Sequence, residues 1–411
     1  MTPETLFYII VAIIAINFVI EKILGALNAR HFNDPIPEII ADVYDAQLYR
    51  KSQRYKMERY RFGLLTSTVS FIAILLFLFF DGFAFVDSLA RSVAQHPITI
   101  TLIFFGIILL ASDLLTTPFT YYSTFNIEEK YGFNKTSKRT FWMDKVKGYA
   151  LGAIIGGALL SIIVWLYLAV GQNFWWFAWI VVTLFSIFMN LFYARFIVPI
   201  FNKQTPLAEG SLRSKIESYA NGVGFNLENI YVIDGSKRST KANAYFSGFG
   251  KEKRITLYDT LITDLEEEEI VAVLAHEVGH YKKNHIIINL VISVISTGFT
   301  LWLLSLFVGN PILAESLNVR VPSFHIGLIA FGLLYAPISE VTGLLMNYLS
   351  RKFEYQADRF AKETYRAEPL IRALKELSKN NLVNLTPHRA YVIAHYSHPT
   401  LQQRVLRLHR V

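Results

Sequence analysis

The run Val273-Leu274-Ala275-His276-Glu277-Val278-Gly279-His280 sets two imidazoles four positions apart with a carboxylate between them. On a helix, side chains at that spacing project from one face, so both rings can ligate one divalent cation while Glu277 reaches a metal-bound water. Zinc held in this way lowers the pKa of its water toward 7, and the carboxylate takes the proton as the water attacks a carbonyl. The chemistry this pattern supports is hydrolysis of a peptide bond without a covalent intermediate. A catalytic zinc commonly has three protein ligands and one open position. Further along, Arg351-Lys352-Phe353-Glu354-Tyr355-Gln356-Ala357-Asp358 places two carboxylates four apart. Glu354 is the candidate third ligand, and Asp358 could accept a hydrogen bond from the second nitrogen of a ligating histidine. From spacing alone, Glu354 with Arg351 and Asp358 with Lys352 equally describe a solvated helix face. With no Cys in the chain, a thiolate ligand, a disulfide and a cysteine nucleophile are all excluded.

The zinc motif requires a helix, and the residues before it supply a start. Thr263 with Glu266 three positions on matches a capping box, and the acids from Asp264 to Glu269 sit where a helix dipole favours negative charge. The surrounding segment, 200–285, reads as a folded insert with a polar helix near 210–222, a strand at 229–233 and a strand pair around 242–258.

The rest of the chain is strongly apolar. Hydrophobic residues make up 53% of its 411, with 32 Phe, 22 Tyr and 6 Trp, and the mean hydropathy is +0.35. Seven stretches approach the roughly 20 residues that cross about 30 Å of hydrocarbon. They lie near 5–25, 64–86, 98–120, 147–169, 175–199, 286–308 and 324–347. The first follows Met1–Glu4, which lacks a positive leader region, and is read as a retained span. Lys and Arg crowd the first and third loops, the 200–285 segment and the 350–411 tail, whereas the second and sixth loops carry only Arg91 and Arg320 and the fourth carries none. This alternation puts the N-terminus outside and the zinc motif on the cytoplasmic side. The net charge of +8 is then explained by anionic lipid, without nucleic acid as a partner. Gly148, Gly152 and Gly156 read as a close helix-packing stripe. Asp113, Asn190, Tyr193, Arg195, Glu340 and Asn347 fall in or at the ends of spans, where ionisable groups need partners or water. His285, at the entry to the sixth span, reads as an interfacial residue and not as a ligand.

Taken in order, the motifs resemble one family. They are Glu128-Glu129-Lys130-Tyr131-Gly132-Phe133-Asn134, Asn243-Ala244-Tyr245-Phe246, Arg254-Ile255-Thr256-Leu257-Tyr258-Asp259-Thr260-Leu261, the zinc motif, Phe353–Asp358 and Ser397-His398-Pro399-Thr400-Leu401. The chain is similar over nearly its whole length to the type I CAAX prenyl proteases, integral-membrane zinc endopeptidases that trim three C-terminal residues from prenylated proteins. That resemblance implies that His276, His280 and Glu354 bind one Zn2+, Glu277 is the base and Asp358 supports a ligand. It implies that His398 and Arg404 line the site, where either could stabilise a developing oxyanion. It also implies a large water-filled chamber beneath the zinc, for which Glu340 is the leading wall residue. On the residues alone, His398 is a turn residue before Pro399, and Asn243 is an ordinary strand-end Asn. Beside the site, Asn243 would mark an edge strand to which an extended substrate could add.

The expected fold is mainly α: a polytopic membrane protein with about seven transmembrane helices enclosing a chamber, plus a small inserted α/β zinc-peptidase element. Its expected regions are 1–199 (spans one to five), 200–285 (the peptidase insert), 286–347 (spans six and seven) and 348–411 (the third ligand and site-lining residues). The expected partners are a peptide or protein substrate, possibly prenylated, and membrane lipid, with no nucleotide. The compact tail up to Val411 suggests a bacterial inner membrane over endoplasmic reticulum, with unprenylated membrane proteins or peptides as the alternative substrates. The heat-shock-induced membrane zinc proteases share the zinc motifs but have fewer spans. A transporter or channel would account for polar residues in spans but predicts no H-E-x-x-H helix.

Overall fold

The computed structural model describes residues 1–225, 227, 229–247 and 254–410, and in it the apolar runs become long helices. Helix α1 (Pro3–Arg30) starts behind Thr2, whose hydroxyl accepts from the Thr5 amide, with proline in the first turn where no amide is missed. Asp45 caps α2 (Ala46–Phe79) through the Leu48 amide at 2.7 Å. The expected span at 64–86 ends early, at Phe79. Asp81 there adopts a left-handed φ of 56°, and a Cβ on Gly82 would meet the Phe77 ring at 2.5 Å, so the chain turns into a separate short helix, α3 (Gly82–Val93). Next come α4 (Pro97–Tyr122), α5 (Lys138–Leu151), α6 (Gly157–Val170), α7 (Phe174–Phe196) and α8 (Val198–Phe201). After the insert, α12 (His285–Phe307), the short α13 (Pro311–Glu315) and α14 (Phe324–Thr364) complete the bundle.

Among the described residues, six helical stretches are long and apolar enough to cross a membrane. One of them, Lys138–Phe201, has 64 residues. Drawn out straight it would reach about 96 Å, some three times the hydrocarbon thickness. It folds back at Gly171–Asn173, where Gly171 takes a φ of 59°, and so makes two passes. Seven passes result, as expected, with shifted ends.

The Gly148, Gly152 and Gly156 stripe does not pack a neighbour: a Cβ at any of them would meet nothing within 4 Å, and Gly152–Gly156 forms a π turn. Close approach occurs elsewhere. A Cβ on Gly298 would lie 2.9 Å from the Trp179 indole, and one on Gly327 would lie 2.0 Å from the Val308 carbonyl oxygen. Among the polar residues of the spans, Asp113 on α4 is held by Lys145 of α5 at 2.7 Å through both oxygens, as an ionised group at that depth requires. The Asn347 amide donates to the Ala394 carbonyl at 2.7 Å, whereas Glu340 is exposed.

The 200–285 segment forms β1 (Gln204–Pro206), α9 (Ser211–Gly222), β2 (Asn229–Ile233), β3 (Ala244–Ser247), β4 (Arg254–Tyr258), α10 (Asp259–Asp264) and α11 (Glu267–Lys282). The connection within the expected 242–258 strand pair, residues 248–253, lies outside the described residues. The strands run β1-β2-β4-β3, with β2 and β4 parallel and β3 antiparallel to β4 at the sheet edge. The cap of α11 falls three residues later than expected. Leu265 leaves helical conformation, Thr263 instead donates to the Asp259 carbonyl within α10, and Glu266 with Glu269 forms the capping box.

The tail adds α15 (Ala367–Asn380), α16 (Arg389–His395) and α17 (Leu401–Arg410). A buried core joins α11, the sheet, α15 and α17, and Ile40 and Val43 of the first loop are buried in it. The organising element is α14. Its 41 residues span about 60 Å, twice the hydrocarbon, so one continuous rod crosses the expected 347–348 boundary and carries Glu354 and Asp358 into the peptidase core.

The glycine contacts give a test of this packing. Gly327→Ala drives a methyl into the Val308 backbone and is expected to destabilise by about 1–3 kcal/mol, read as a lowered thermal midpoint in detergent. Gly152→Ala meets open space, and its midpoint is expected to stay level or rise.

Candidate metal centre

Helices α11 and α14 cross where Gly279 faces Ala357. A Cβ on Gly279 would sit 3.0 Å from the Ala357 Cα and 3.1 Å from its carbonyl oxygen, a fit so tight that an added methyl would require the neighbour to give by a few tenths of an ångström. The crossing sets the α11 face bearing His276 and His280 against the α14 face bearing Glu354 and Asp358. The two imidazoles meet with Nε2 atoms 3.1 Å apart. Glu354 bridges them, Oε2 lying 3.4 Å from His276 Nε2 and Oε1 lying 3.3 Å from His280 Nε2. Ligand atoms from all three lie within 4.8 Å of one another.

The chemistry of these atoms fits a cation. Glu354 is only 4% exposed, and its Oε2 has no hydrogen-bond partner among the described residues, its two contacts at 3.4 Å having ion-pair distances without hydrogen-bond geometry. A buried carboxylate oxygen left so is costly unless a cation meets it. Two nitrogens and a carboxylate, with no sulfur, suit zinc.

Asp358 Oδ1 lies 2.9 Å from His276 Nδ1, which keeps the proton there and turns the Nε2 lone pair toward the site. Burial opposes a charged His276, but the Asp358 and Glu354 carboxylates beside it outweigh that, and the metal-free imidazole is pushed up to about 9. A metal competes with that proton for the ring.

Arg404 lines the cavity as expected, and its guanidinium is also engaged with the site's carboxylates. Its Nε and Nη2 clasp Asp358 at 2.9 and 2.5 Å, and Nη1 lies 3.4 Å from Glu354 Oε2. At 8% exposure, it neutralises and orients two buried carboxylates. His398 lies nearer the open side, its side chain 63% exposed, with Nε2 3.3 Å from Glu354 Oε1 and Nδ1 2.9 Å from the Ser397 hydroxyl. Together with Glu277 and Asn243 it lines a cavity of about 440 Å³ over the three ligands. Asn243 immediately precedes edge strand β3, and its carbonyl accepts from the Tyr258 amide at 3.0 Å.

Three contributors escaped the sequence reading. Gly279 looked like the variable part of the motif, yet it sets the helix crossing. His285 is not interfacial: it is 1% exposed, with Nδ1 3.0 Å from His280 Nδ1. Gln356, which accepts from His285 Nε2 at 2.8 Å, has no signal in spacing, since its partner is 71 residues away. The five-residue step from His280 to His285 was the only local hint.

Because the Gly279 contact is backbone to backbone, Gly279→Ala is expected to part the helices and weaken metal binding at least about tenfold, measured as metal per purified chain. Gly152→Ala serves as the control that leaves it unchanged.

Comparison with known proteins gives the family. Residues 26–203 match the family described as CAAX prenyl protease N-terminal, five membrane helices, and residues 206–411 match peptidase family M48. The chain is 35% identical to a probable CAAX prenyl protease 1 of Schizosaccharomyces pombe, with 90% of this chain and 81% of that protein covered. It is 33% identical to the Arabidopsis thaliana homolog of CAAX prenyl protease 1, with 96% of each covered, and 31% identical to that of Homo sapiens, with 90% and 88% covered. The crystal structure of S. mikatae Ste24p superposes with a TM-score of 0.92 at 32% identity, covering 98% of this chain and 99% of that one. The chain therefore belongs to the CAAX prenyl protease branch of peptidase family M48 and is a multi-pass membrane metalloendopeptidase.

Proposed function

We propose that this protein is a zinc endopeptidase that processes CAAX-type C-termini, prenylated ones included, at the cytoplasmic face of its membrane. The observation that carries the reading is the convergence of both His Nε2 atoms on the buried Glu354 carboxylate, beneath a cavity that Glu277 and His398 share. His276, His280 and Glu354 would hold the zinc, which when bound supplies a water of lowered pKa and polarises the scissile carbonyl.

The remaining work falls to the chain's own groups. Glu277, one residue from His276 and open to the cavity, takes a proton from the attacking water and returns it to the leaving amine. His398, on the exposed side, donates to the oxyanion, while Arg404 keeps Glu354 and Asp358 ionised and in place. The edge strand after Asn243 offers unpaired backbone groups beside the cavity, and an extended substrate can add there as a further strand. The cytoplasmic placement follows from the basic first and third loops and the basic tail. The tail no longer argues for a bacterial membrane, because the chain covers 96% of the Arabidopsis relative.

The test is proteolysis of a farnesylated CAAX peptide by the purified protein. We expect cleavage after the prenyl-Cys and about one zinc per chain, as one ligand set of this kind holds one ion. Glu277→Gln is expected to lower the rate by about 100-fold or more with zinc retained. Stripping the metal with a chelator should abolish cleavage, and zinc should restore it. A zinc-loaded protein that ignores this peptide but cleaves unprenylated membrane peptides would sink the CAAX assignment.

A further inference from the structure

We infer that His285 is a positioning residue that, together with Gln356, fixes the tautomer and ring orientation of His280. The inference rests on the metallopeptidase reading above.

It begins with the join between two helices. α11 ends at Lys282 and α12 begins at His285, with Asn284 at a left-handed φ of 58°. Asparagine tolerates that conformation better than most residues, and the tight join folds the first residue of a membrane span back over the zinc motif. His285 is thereby buried to 1% exposure and stacked on Phe353 of α14, ring centroids 4.1 Å apart at 12°.

The hydrogen bonds then run in one direction. Gln356 Oε1 can only accept, so His285 Nε2, 2.8 Å away, carries a proton. The Nδ1 of a neutral His285 is then a lone pair, and it faces His280 Nδ1 at 3.0 Å. His280 must place its proton on Nδ1, which leaves Nε2 bare where it meets His276 Nε2 and Glu354. Reversing the chain would put a proton on His280 Nε2 and bar it from a metal.

Asp358 does the same for His276. Both ligand tautomers are thus set from α14, one by a carboxylate and the other by an amide acting through a second imidazole. The neutral relay gives His280 its orientation without adding a further anion to Glu354 and Asp358. Partners of this kind typically account for 10- to 100-fold in metal affinity.

The experiment measures zinc affinity of the full-length protein in detergent, by competition with a chromogenic chelator, alongside the thermal midpoint of each metal-free form. His285→Phe keeps the stack on Phe353 and removes both nitrogens. Gln356→Met removes the acceptor, and Gln356→Glu keeps it. We expect His285→Phe and Gln356→Met to bind zinc about 10- to 100-fold more weakly and Gln356→Glu to stay within about threefold of the wild type, with metal-free midpoints unchanged. Wild-type affinity in His285→Phe and Gln356→Met would overturn the inference while leaving the metallopeptidase reading intact. Equal weakening in all three variants, tracking a lowered metal-free midpoint, would also overturn it, since that pattern belongs to packing alone. A wild type that takes up no zinc would defeat the underlying reading, and the inference with it.

Discussion

The contact between the Gly279 and Ala357 backbones governs everything downstream of it. A side chain at that point would press on the Ala357 backbone and push the two helices apart by a few tenths of an ångström, which lengthens the reach of a carboxylate on one to two imidazoles on the other. Here Glu354 reaches both His Nε2 atoms within 3.4 Å, and Asp358 and Gln356 each reach a ring. One glycine therefore couples the motif on α11 to everything α14 brings. The residues that fill the surrounding core, from α9, α15 and α17, press the two helices into that crossing.

The second constraint is the length of α14. A helix of 41 residues is about twice as long as the hydrocarbon is thick, so it extends well beyond a single crossing. Its first half packs Ile326 and Ala330 among α1, α3 and α4, and its second half holds the third ligand. The site is consequently built onto the bundle without a flexible linker. α12 repeats the design from the other side, since its first residue, His285, touches a ligand before the helix enters its apolar run. Two of the spans thus have an end in the candidate metal centre, and the peptidase element is an extension of the bundle.

Much of this was legible in the sequence. Apolar runs of helical length and alternating basic loops gave the spans, because crossing hydrocarbon leaves a helix few alternatives. H-E-x-x-H gave two ligands, since spacing on one helix is a local property. Family resemblance was needed for Glu354, because its face on α14 looks the same as a solvated one until α11 is packed against it. What was misread depended on tertiary contact. The glycine stripe at 148–156 has the spacing of a packing motif but no partner, while Gly298 and Gly327, which stand alone in sequence, are the tightly packed ones. The cap of α11 slipped by three residues because several acids in a row can each start a helix, and Leu265 decided among them. His285 was misplaced because a histidine at the head of an apolar run looks interfacial until the turn at Asn284 is seen to fold it inward.

The α11–α14 crossing focuses two Nε2 atoms and one carboxylate on a single point, where a metal is expected to sit. The most direct measurement is an anomalous difference map, recorded at the zinc edge from crystals of active protein. One peak per chain is expected, ligated by Nε2 of His276, Nε2 of His280 and the Glu354 carboxylate. A peak elsewhere, ligation through Nδ1 of either histidine, or no peak in protein that still cleaves peptides would contradict that expectation.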